Sequence, residues 1–482
     1  MLTSSNKIAI LFYVVFLQLS FCVLFQNNAI CEEAKDAKYY EELGISHFDK
    51  KEYDKALPCF QKGAELGSVL SQYHLGLHYA GGLGIEKNDV AASTWMQKAA
   101  EAGNVKAQSF CGVIYFYGVG VKINHKVAIK WMRKAAEQGD SQSQYNLAQL
   151  YHFGISGIKQ DFVEAAKLYR KAAEQGNANA QLYLGILYMR GYNGVTKDIK
   201  ESVMWWRKSA EQGNAKAQYC LAMAYTVGDG VEEDLKEAAK WSRKSAEQGY
   251  AEAQLSLGIM YIEGKGVEKN YEEAIKLLKK AVENNVEDAQ LNLDLLYVQM
   301  DTSDKENFIK SEKRLRQFAK NGDIKAQVGL GKLYAEGKKV KQNLEEAEQW
   351  LLKAAMKDDV EAQCTLGKLY FDELKNRDKA YKWLEKAADQ DNSIAMFYIG
   401  KIFYSENDYK SANKWLQKAV DNGNEEGKML LEVIREVQKY ESTIKPTITT
   451  PPPLPLPDNF SPDDIFPKPD NETKTDNKSQ PQ

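Results

Sequence analysis

The side chains best suited to metal or acid–base chemistry in this sequence are its five histidines. His74 and His78 are four residues apart, a spacing that places two imidazoles on one face of a helix, where they could share a zinc ion. No glutamate lies between them, and no third ligand recurs nearby. His47, His125 and His152 are isolated, so no set of acid, base and nucleophile can be assembled. We therefore expect neither a metal site nor a catalytic site.

The cysteines beyond residue 31 do not form the regular pattern that a disulfide scaffold requires. Cys59, Cys111, Cys220 and Cys364 occupy unmatched positions of the sequence, whereas a bridged scaffold keeps its pairs at fixed spacing. A free cysteine packs as a small apolar side chain. We therefore expect these four residues to lie in the core without forming bridges.

A unit of 36 or 37 residues recurs along most of the chain, and the stretch from Gly103 to Gly139 shows its features. Within it, residues 107–117 and 128–136 carry small and apolar side chains at helical spacing, which predicts two helices. The intervening Gly118-Val119-Gly120 predicts the turn, because glycine enters positive φ without steric cost. Glycine pairs recur in other units, so they are attributed to turns and not to phosphate loops. Repetition at this length indicates a solenoid. Equivalent positions of the units are Gly67, Gly103, Gly139, Gly176, Gly213, Gly249, Asn285, Gly322 and Asp358.

Polar side chains mark the start of the second helix in several units. An Asp or Asn followed three residues later by Glu predicts a capping box, in which the first side chain accepts a hydrogen bond from a backbone amide of the first turn. The pairs are Asp161 with Glu164, Asp198 with Glu201, Asp234 with Glu237, Asn270 with Glu273, and Asn343 with Glu346.

The pattern A-x-x-x-L-G-x-x-Y, followed by a G-x-G-V turn, A-x-x-W and K-A-A-E-Q-G, resembles the Sel-one-like repeat family, a longer-looped relative of the tetratricopeptide repeat. Units of this kind cover residues 67–357. The resemblance implies an all-α fold, a right-handed superhelical solenoid of antiparallel helix pairs that binds other proteins. It also implies adaptor roles in bacterial secretion and host interaction, or in quality control in the eukaryotic endoplasmic reticulum.

The units differ toward the two ends of the array. Residues 32–66 and 358–422 have short turns in place of the glycine loop and look like tetratricopeptide units, the first of which serves as the N-terminal cap. Residues 423–440 predict a capping helix, since a solenoid needs a polar outer surface at each end. The unit 285–321 is degenerate because Met300–Lys305 replaces its glycine turn, and we interpret it either as a flexible joint or as neutral drift.

The two ends of the chain differ in composition from the repeats. Residues 1–31 carry Lys7, an apolar run at 8–25 and then polar residues, which predicts a secretory signal peptide. Residues 441–482 are proline-rich and predict a disordered tail, in which Pro451–Pro455 is either a docking motif or a spacer. We therefore expect an exported protein, periplasmic or secreted in a bacterium, and secreted or in the endoplasmic reticulum lumen in a eukaryote. Membrane contact is expected only if the leader stays uncleaved.

The charge of the chain disfavours one class of partner. The formal net charge is -3 with 27% charged residues, so the basic excess that nucleic-acid binding requires is missing. We expect a protein or peptide partner, no nucleic acid and no small-molecule cofactor.

A binding groove is expected on the first helices, which line the concave face of tetratricopeptide-like arrays. A soluble protein rarely leaves an apolar strip exposed unless something binds it, although tight curvature could instead bury these side chains against one another. We predict an exported, non-enzymatic scaffold that binds proteins through this groove. The alternative is a hydrolase or small-ligand binder similar to the cysteine-rich relatives that act on or bind beta-lactams. The groove residues are Tyr73, Tyr145, Gln149, Leu182, Ile186, Tyr219, Met223, Leu255 and Ile259.

Overall fold

The computed structural model describes residues 36–300 and 304–443, and these residues contain helices and no strand. The predictions for the leader at residues 1–31 and for the tail beyond 443 concern residues outside the described ranges. The described residues divide into two compact units, the first ending at residue 300 and the second lying beyond it. Within the described ranges, no helix has the length and apolar character needed to span a bilayer.

Fifteen helices of 11 to 13 residues lie in the described part of the first unit. They are α1 Ala37–Asp49, α2 Tyr53–Glu65, α3 Val69–Gly81, α4 Asp89–Glu101, α5 Val105–Tyr117, α6 His125–Glu137, α7 Ser141–Phe153, α8 Phe162–Glu174, α9 Ala178–Arg190, α10 Ile199–Glu211, α11 Ala215–Val227, α12 Leu235–Glu247, α13 Ala251–Glu263, α14 Tyr271–Glu283 and α15 Ala289–Gln299.

The described part of the second unit contains eight helices. They are α16 Lys305–Lys320, α17 Ile324–Glu336, α18 Leu344–Ala355, α19 Val360–Asp372, α20 Arg377–Ala388, α21 Ser393–Ser405, α22 Tyr409–Asp421 and α23 Glu425–Thr443.

The helices pack in consecutive antiparallel pairs. In the first unit, the odd-numbered helices from α1 to α13 are the first helices of their pairs, and the even-numbered helices are the second. Each first helix packs most extensively on the second helix that follows it. The second helix then packs on the first helix of the next pair. The second unit repeats this arrangement in α17/α18, α19/α20 and α21/α22. The prediction of an all-α solenoid of antiparallel helix pairs is confirmed.

The second helices begin where the capping boxes predict. The Asp161 carboxylate accepts hydrogen bonds from the amides of Val163 and Glu164, each at 3.0 Å, and Asp198 accepts one from the amide of Glu201. Asp234, Asn270 and Asn343 make the equivalent bond to the amide three residues on. Each cap satisfies an amide that the first turn of a helix leaves without an intrahelical partner.

The glycine turn positions the loop between paired helices. Gly118 ends α5 at φ 77° with its amide bonded to the carbonyl of Ile114, and Gly120 follows at φ 68°. A Cβ on Gly120 would lie 2.0 Å from the carbonyl oxygen of Asp89, the first residue of α4. The turn therefore packs its backbone directly on the start of the preceding second helix, which only glycine allows.

Buried glutamines link successive pairs. Gln108 Nε2 donates to the Ala100 carbonyl at 3.1 Å, and its Oε1 accepts from Gln138 Nε2 at 2.7 Å. This ladder is interrupted at Gln254, whose Oε1 is buried without a partner among the described residues. Asn284 occupies the position in its repeat that Gln138 occupies in an earlier one. Its shorter side chain donates to the Lys280 carbonyl and does not reach Gln254. Complete links of the same kind are made by Gln144, Gln181 and Gln218.

A small residue in the first helix lets the second helix approach closely. In the α9/α10 pair, a Cβ on Gly185 would lie 2.6 Å from Cδ1 of Trp206, which is 5% exposed. The equivalent positions of the α11/α12 pair hold Ala222 and Ser242, both buried. The size of one residue therefore compensates for the size of the residue facing it.

Candidate protein-binding face

Several first helices approach the first helix of the next pair. In the first unit, α1 approaches α3, α5 approaches α7 and α13 approaches α15 more closely than any described second helix approaches the next one. We call the solvent-facing side of α3, α5, α7, α9, α11 and α13 the first-helix face.

One predicted row of residues lies on this face. This row consists of the residues at one equivalent position of four successive first helices, and each of them retains contact with solvent. They are Gln149, Ile186, Met223 and Ile259. Met223 has the most exposed side chain of the four, at 36%. These residues form a largely apolar strip along the first-helix face.

The other predicted row lies nearer the core. Tyr73, Tyr145, Tyr219 and Leu255 are half-buried, and each packs against the hydrophobic core of its unit. Each residue of this row comes one position earlier in its helix than Tyr183 does in α9. One position is a rotation of about 100° around the helix axis, so these side chains point toward the neighbouring helices. Its members form the edge of the face and not its centre.

Leu182 does not reach the face, contrary to expectation. Its side chain is only 3% exposed and belongs to the core cluster that contains Trp206 and Leu221. The Leu182 carbonyl also accepts a hydrogen bond from Trp206 Nε1 at 3.3 Å. The large indole of α10 therefore covers this position, which is the burial that tight packing would produce.

The most exposed apolar side chains of the face were not predicted. Tyr117, Phe153 and Val227 end their first helices and are 68%, 50% and 65% exposed. They lie four residues beyond the row of Gln149 and Met223, so helical spacing places them on the same side. Extending that row by one turn would have found them.

Three of the rings on the face lie close together. We call Tyr145 and Phe153 of α7 and Tyr183 of α9 the aromatic patch. The Tyr183 ring centroid lies 6.1 Å from that of Tyr145 and 6.5 Å from that of Phe153. Behind it, Tyr183 stacks on the buried ring of Tyr169 at 5.8 Å, and Gln149 Nε2 donates to the Tyr169 hydroxyl at 2.8 Å. The patch is therefore supported by the core.

The aromatic patch offers a neutral hydroxyl on Tyr145 and has cations nearby. Burial raises the pKa of Tyr145 to about 12, so its phenol stays protonated at physiological pH. Lys216 Nζ lies 5.9 Å from the centroid of the Tyr183 ring. Such rings present apolar faces with hydroxyls that can donate or accept, which suits them to contact a polypeptide.

A polar network interrupts the face on the N-terminal side of the patch. The carboxylate of Asp140 accepts hydrogen bonds from Ser109 Oγ at 2.9 Å, Lys106 Nζ at 2.9 Å and the amide of Ser143 at 2.7 Å. Burial acts to raise the pKa of Asp140, but these donors together lower it. Ser109 occupies the position that Tyr145 holds in α7, so the network separates Tyr73 from the aromatic patch.

The histidine pair packs against core side chains and a backbone carbonyl. His74 stacks on Phe60 with ring centroids 4.6 Å apart, and His78 Nδ1 lies 2.6 Å from the Leu83 carbonyl oxygen, to which it donates. Among the described residues, no group of three or more His, Cys, Asp or Glu side chains could hold a metal ion. Cys59, Cys111, Cys220 and Cys364 are all free, and Cys111 and Cys364 are buried.

The lowered pKa values of His74 and His78 indicate that the stability of the fold is sensitive to acid. Burial lowers the pKa of His74, as does the neighbouring His78, while Asp49 and Glu41 act in the opposite direction. Burial also lowers the pKa of His78. Because the unfolded chain then binds more protons than the folded one, their contribution to stability is present above about pH 6.5 and falls as the pH drops below it.

We expect the melting temperature of the chain to fall between pH 7.5 and pH 5.5, and the fall to be smaller in His74→Phe. Phenylalanine keeps the stack on Phe60 but cannot take up a proton. Circular dichroism melts at the two pH values measure the difference. An equal fall in both proteins would show that His74 does not carry this sensitivity.

Comparison with known proteins identifies the repeat. The family model of the Sel1 repeat matches ten segments of the sequence. They are residues 37–68, 69–104, 105–140, 141–177, 178–214, 215–250, 251–286, 324–359, 360–392 and 393–424. The matches include the short-turn units at both ends and pass over most of the degenerate unit 285–321. No curated protein matched the chain.

Solved structures similar to this chain include other proteins of the same repeat. One is a protective antigen of uropathogenic Escherichia coli with an SLR fold, at 34% identity over 79% of this chain and 83% of that one, with a TM-score of 0.53. A Sel1 repeat protein of Oxalobacter formigenes is 35% identical over 50% of this chain and 96% of that one, with a TM-score of 0.47.

Proposed function

Because this chain belongs to the Sel1 repeat family, we propose that it is an exported, non-enzymatic scaffold that binds a protein segment along the first-helix face of its first unit. Sel1 repeat proteins generally act as scaffolds for protein–protein interaction. The observation that carries the proposal for this chain is the aromatic patch, which continues into an exposed apolar row. Large rigid rings at the centre of a surface are the side chains that most often dominate binding energy.

The dimensions of the face suit an extended segment. The exposed row runs across four first helices, from Tyr117 on α5 to Val227 on α11, with the charged Arg190 at the matching position of α9. Neighbouring helices lie about 10 Å apart, which gives the row a length of about 30 Å. An extended chain of about nine residues covers that distance. Phe153, Ile186 and Met223 would then contact side chains along one line of the bound segment.

A matched pair of exposed methionines tests the position of the site. Met223 lies on the first-helix face at 36% exposure, and Met204 lies on the second helix α10 at 38%. We expect Met223→Asp to lose proteins that the full chain captures, because the row is apolar, whereas Met204→Asp should retain them. Quantitative mass spectrometry of both captures measures the difference. Loss with Met204→Asp alone would place the site on the second helices.

Export is supported by the residues at the N-terminus. Lys7 and the apolar run at 8–25 have the order of a secretory signal peptide. The E. coli relative is a protective antigen, which agrees with an exported role for this chain. We expect the mature protein to begin near Glu32, and N-terminal sequencing of the product from the exporting cell tests this. An intact Met1 on membrane-bound protein would indicate an anchored chain instead.

A further inference from the structure

The second unit carries an aromatic site of a different composition. Lys401 of α21 lies among three rings, with Nζ 4.6 Å from the centroid of Tyr398, 5.4 Å from that of Phe371 and 5.7 Å from that of Phe397. The Tyr398 ring is perpendicular to both phenylalanine rings, at 89° and 90°. We call these four residues the C-terminal aromatic site.

The C-terminal aromatic site lies on the first helices and is open to solvent. All three rings are half-buried, and Ile394, one turn before Tyr398 on α21, is 45% exposed. The positions equivalent to Tyr398 in the preceding first helices are Gly329 and Thr365, which have no ring. Among the first helices α17, α19 and α21, only α21 carries a ring at this position.

Partly exposed aromatic rings set at right angles suit one type of segment in particular. Proline-rich chains adopt an extended polyproline II helix without internal hydrogen bonds, and they bind in grooves lined by aromatic rings. The proline ring packs flat against an aromatic face, and little conformational entropy is lost because the segment is already ordered. The chemistry of the site therefore favours a proline-rich peptide.

The chain carries such a segment shortly after its last described helix. Residues 446–457 read P-T-I-T-T-P-P-P-L-P-L-P and contain no charged residue. We propose that this segment of the same chain binds the C-terminal aromatic site. The proposal goes beyond the scaffold function, because it concerns the second unit and needs no partner protein.

The length of the connection is sufficient. Leu430 of α23 corresponds in position to Tyr398 of α21, and from there α23 continues to Thr443, about 20 Å further along the helix axis. The two helices are first helices of neighbouring pairs, about 10 Å apart. The eight residues from Thr443 to Pro451 span up to about 26 Å when extended, so the prolines can turn back and reach Tyr398.

The charges on both sides agree with this placement. Lys368, with Nζ 5.1 Å from the Tyr398 centroid, and Lys401 face the site together with Asp372, Glu426 and Lys375, which gives a net positive charge. The uncharged proline segment is followed in the sequence by three aspartates and by no basic residue until Lys468. Those aspartates, Asp458, Asp463 and Asp464, would lie close to the lysines.

Photo-crosslinking in the full chain tests the contact directly. We expect a benzophenone amino acid in place of Leu454 to form cross-links to peptides from residues 360–405, whereas the same group in place of Asn477 should not. Tyr398→Ala should lower the yield at least about fivefold. Serine in place of Pro451, Pro452 and Pro453 should do the same, and that variant leaves the helices unaltered.

Three outcomes would overturn the proposal. The first is a lack of cross-links to residues 360–405. The second is a yield unchanged by both Tyr398→Ala and the serine variant. The third is a cross-link between chains, detected by mixing isotopically labelled and unlabelled protein, which would assign the segment to the site of a second copy. The capture of partner proteins by the first unit is read separately, so failure here leaves the scaffold proposal unaffected.

Discussion

Gly185→Ala is expected to destabilise the first unit by about 2 kcal/mol, although alanine is the better helix former by about 1 kcal/mol. The added methyl group would lie 2.6 Å from Cδ1 and Nε1 of Trp206 and 3.0 Å from the carbonyl oxygen of Ser202. The indole is buried and bonded to the Leu182 carbonyl, and the Ser202 carbonyl is part of the α10 backbone. Neither can move aside without separating the two helices.

A second substitution shows whether the indole is the cause. In the α11/α12 pair, the equivalent positions hold Ala222 and Ser242, both of which are buried. We therefore expect Gly185→Ala to cost little when Trp206→Ser is already present, even though Trp206→Ser alone removes much buried apolar surface. The coupling between the two changes should be about 2 kcal/mol, within the range found for residues in contact.

Urea unfolding, followed by far-ultraviolet circular dichroism, gives the unfolding midpoints of the unaltered chain, the two single variants and the double variant. Ala222→Gly serves as the control, since it removes helix propensity without relieving a close contact. Midpoints should be compared, because an array of repeats need not unfold in one step. A midpoint for Gly185→Ala equal to or above that of the unaltered chain would show that α9 and α10 adjust at no cost.

Local signals in the sequence are sufficient to predict the helix pairs. The caps at Asp161 and Asp198 act on the first turn of their own helices, and Gly118 ends a helix through its own φ value. Such features depend on neighbours in the sequence, so they can be recognised without the structure. The repeat then multiplies each signal along the chain.

The surface depends on contacts that vary from unit to unit. Leu182 has the same helical position as Tyr145 and Tyr219, but it is buried, because Trp206 fills the space above it. Tyr183 belongs to the aromatic patch, although the equivalent residue of α11 is Cys220. Repeat position alone therefore identifies the first helices, and the facing residue decides which of their side chains reach solvent.

The aromatic patch gives the binding prediction with the largest expected effect. Once a partner is identified, Phe153→Ala and Tyr183→Ala should each weaken binding at least about tenfold, or ~1.4 kcal/mol, because rings at the centre of an interface carry most of its energy. Tyr145→Ala should act in the same direction. Isothermal titration calorimetry with the full chain measures all three dissociation constants.

Phe153 separates binding from folding more cleanly than the other two rings. It is 50% exposed and stacks on His152, whereas Tyr145 and Tyr183 both contact the fully buried ring of Tyr169, so truncating Phe153 removes less core packing than truncating either tyrosine. Lys167→Ala on the second helix α8, where the side chain is 60% exposed and paired with Glu164, is the matched surface control and should leave the affinity unchanged. If Lys167→Ala weakens binding while Phe153→Ala does not, the partner binds the second helices. If only Tyr145→Ala and Tyr183→Ala weaken binding, and both also lower the melting temperature, the patch acts through the fold and the contact lies elsewhere on the chain.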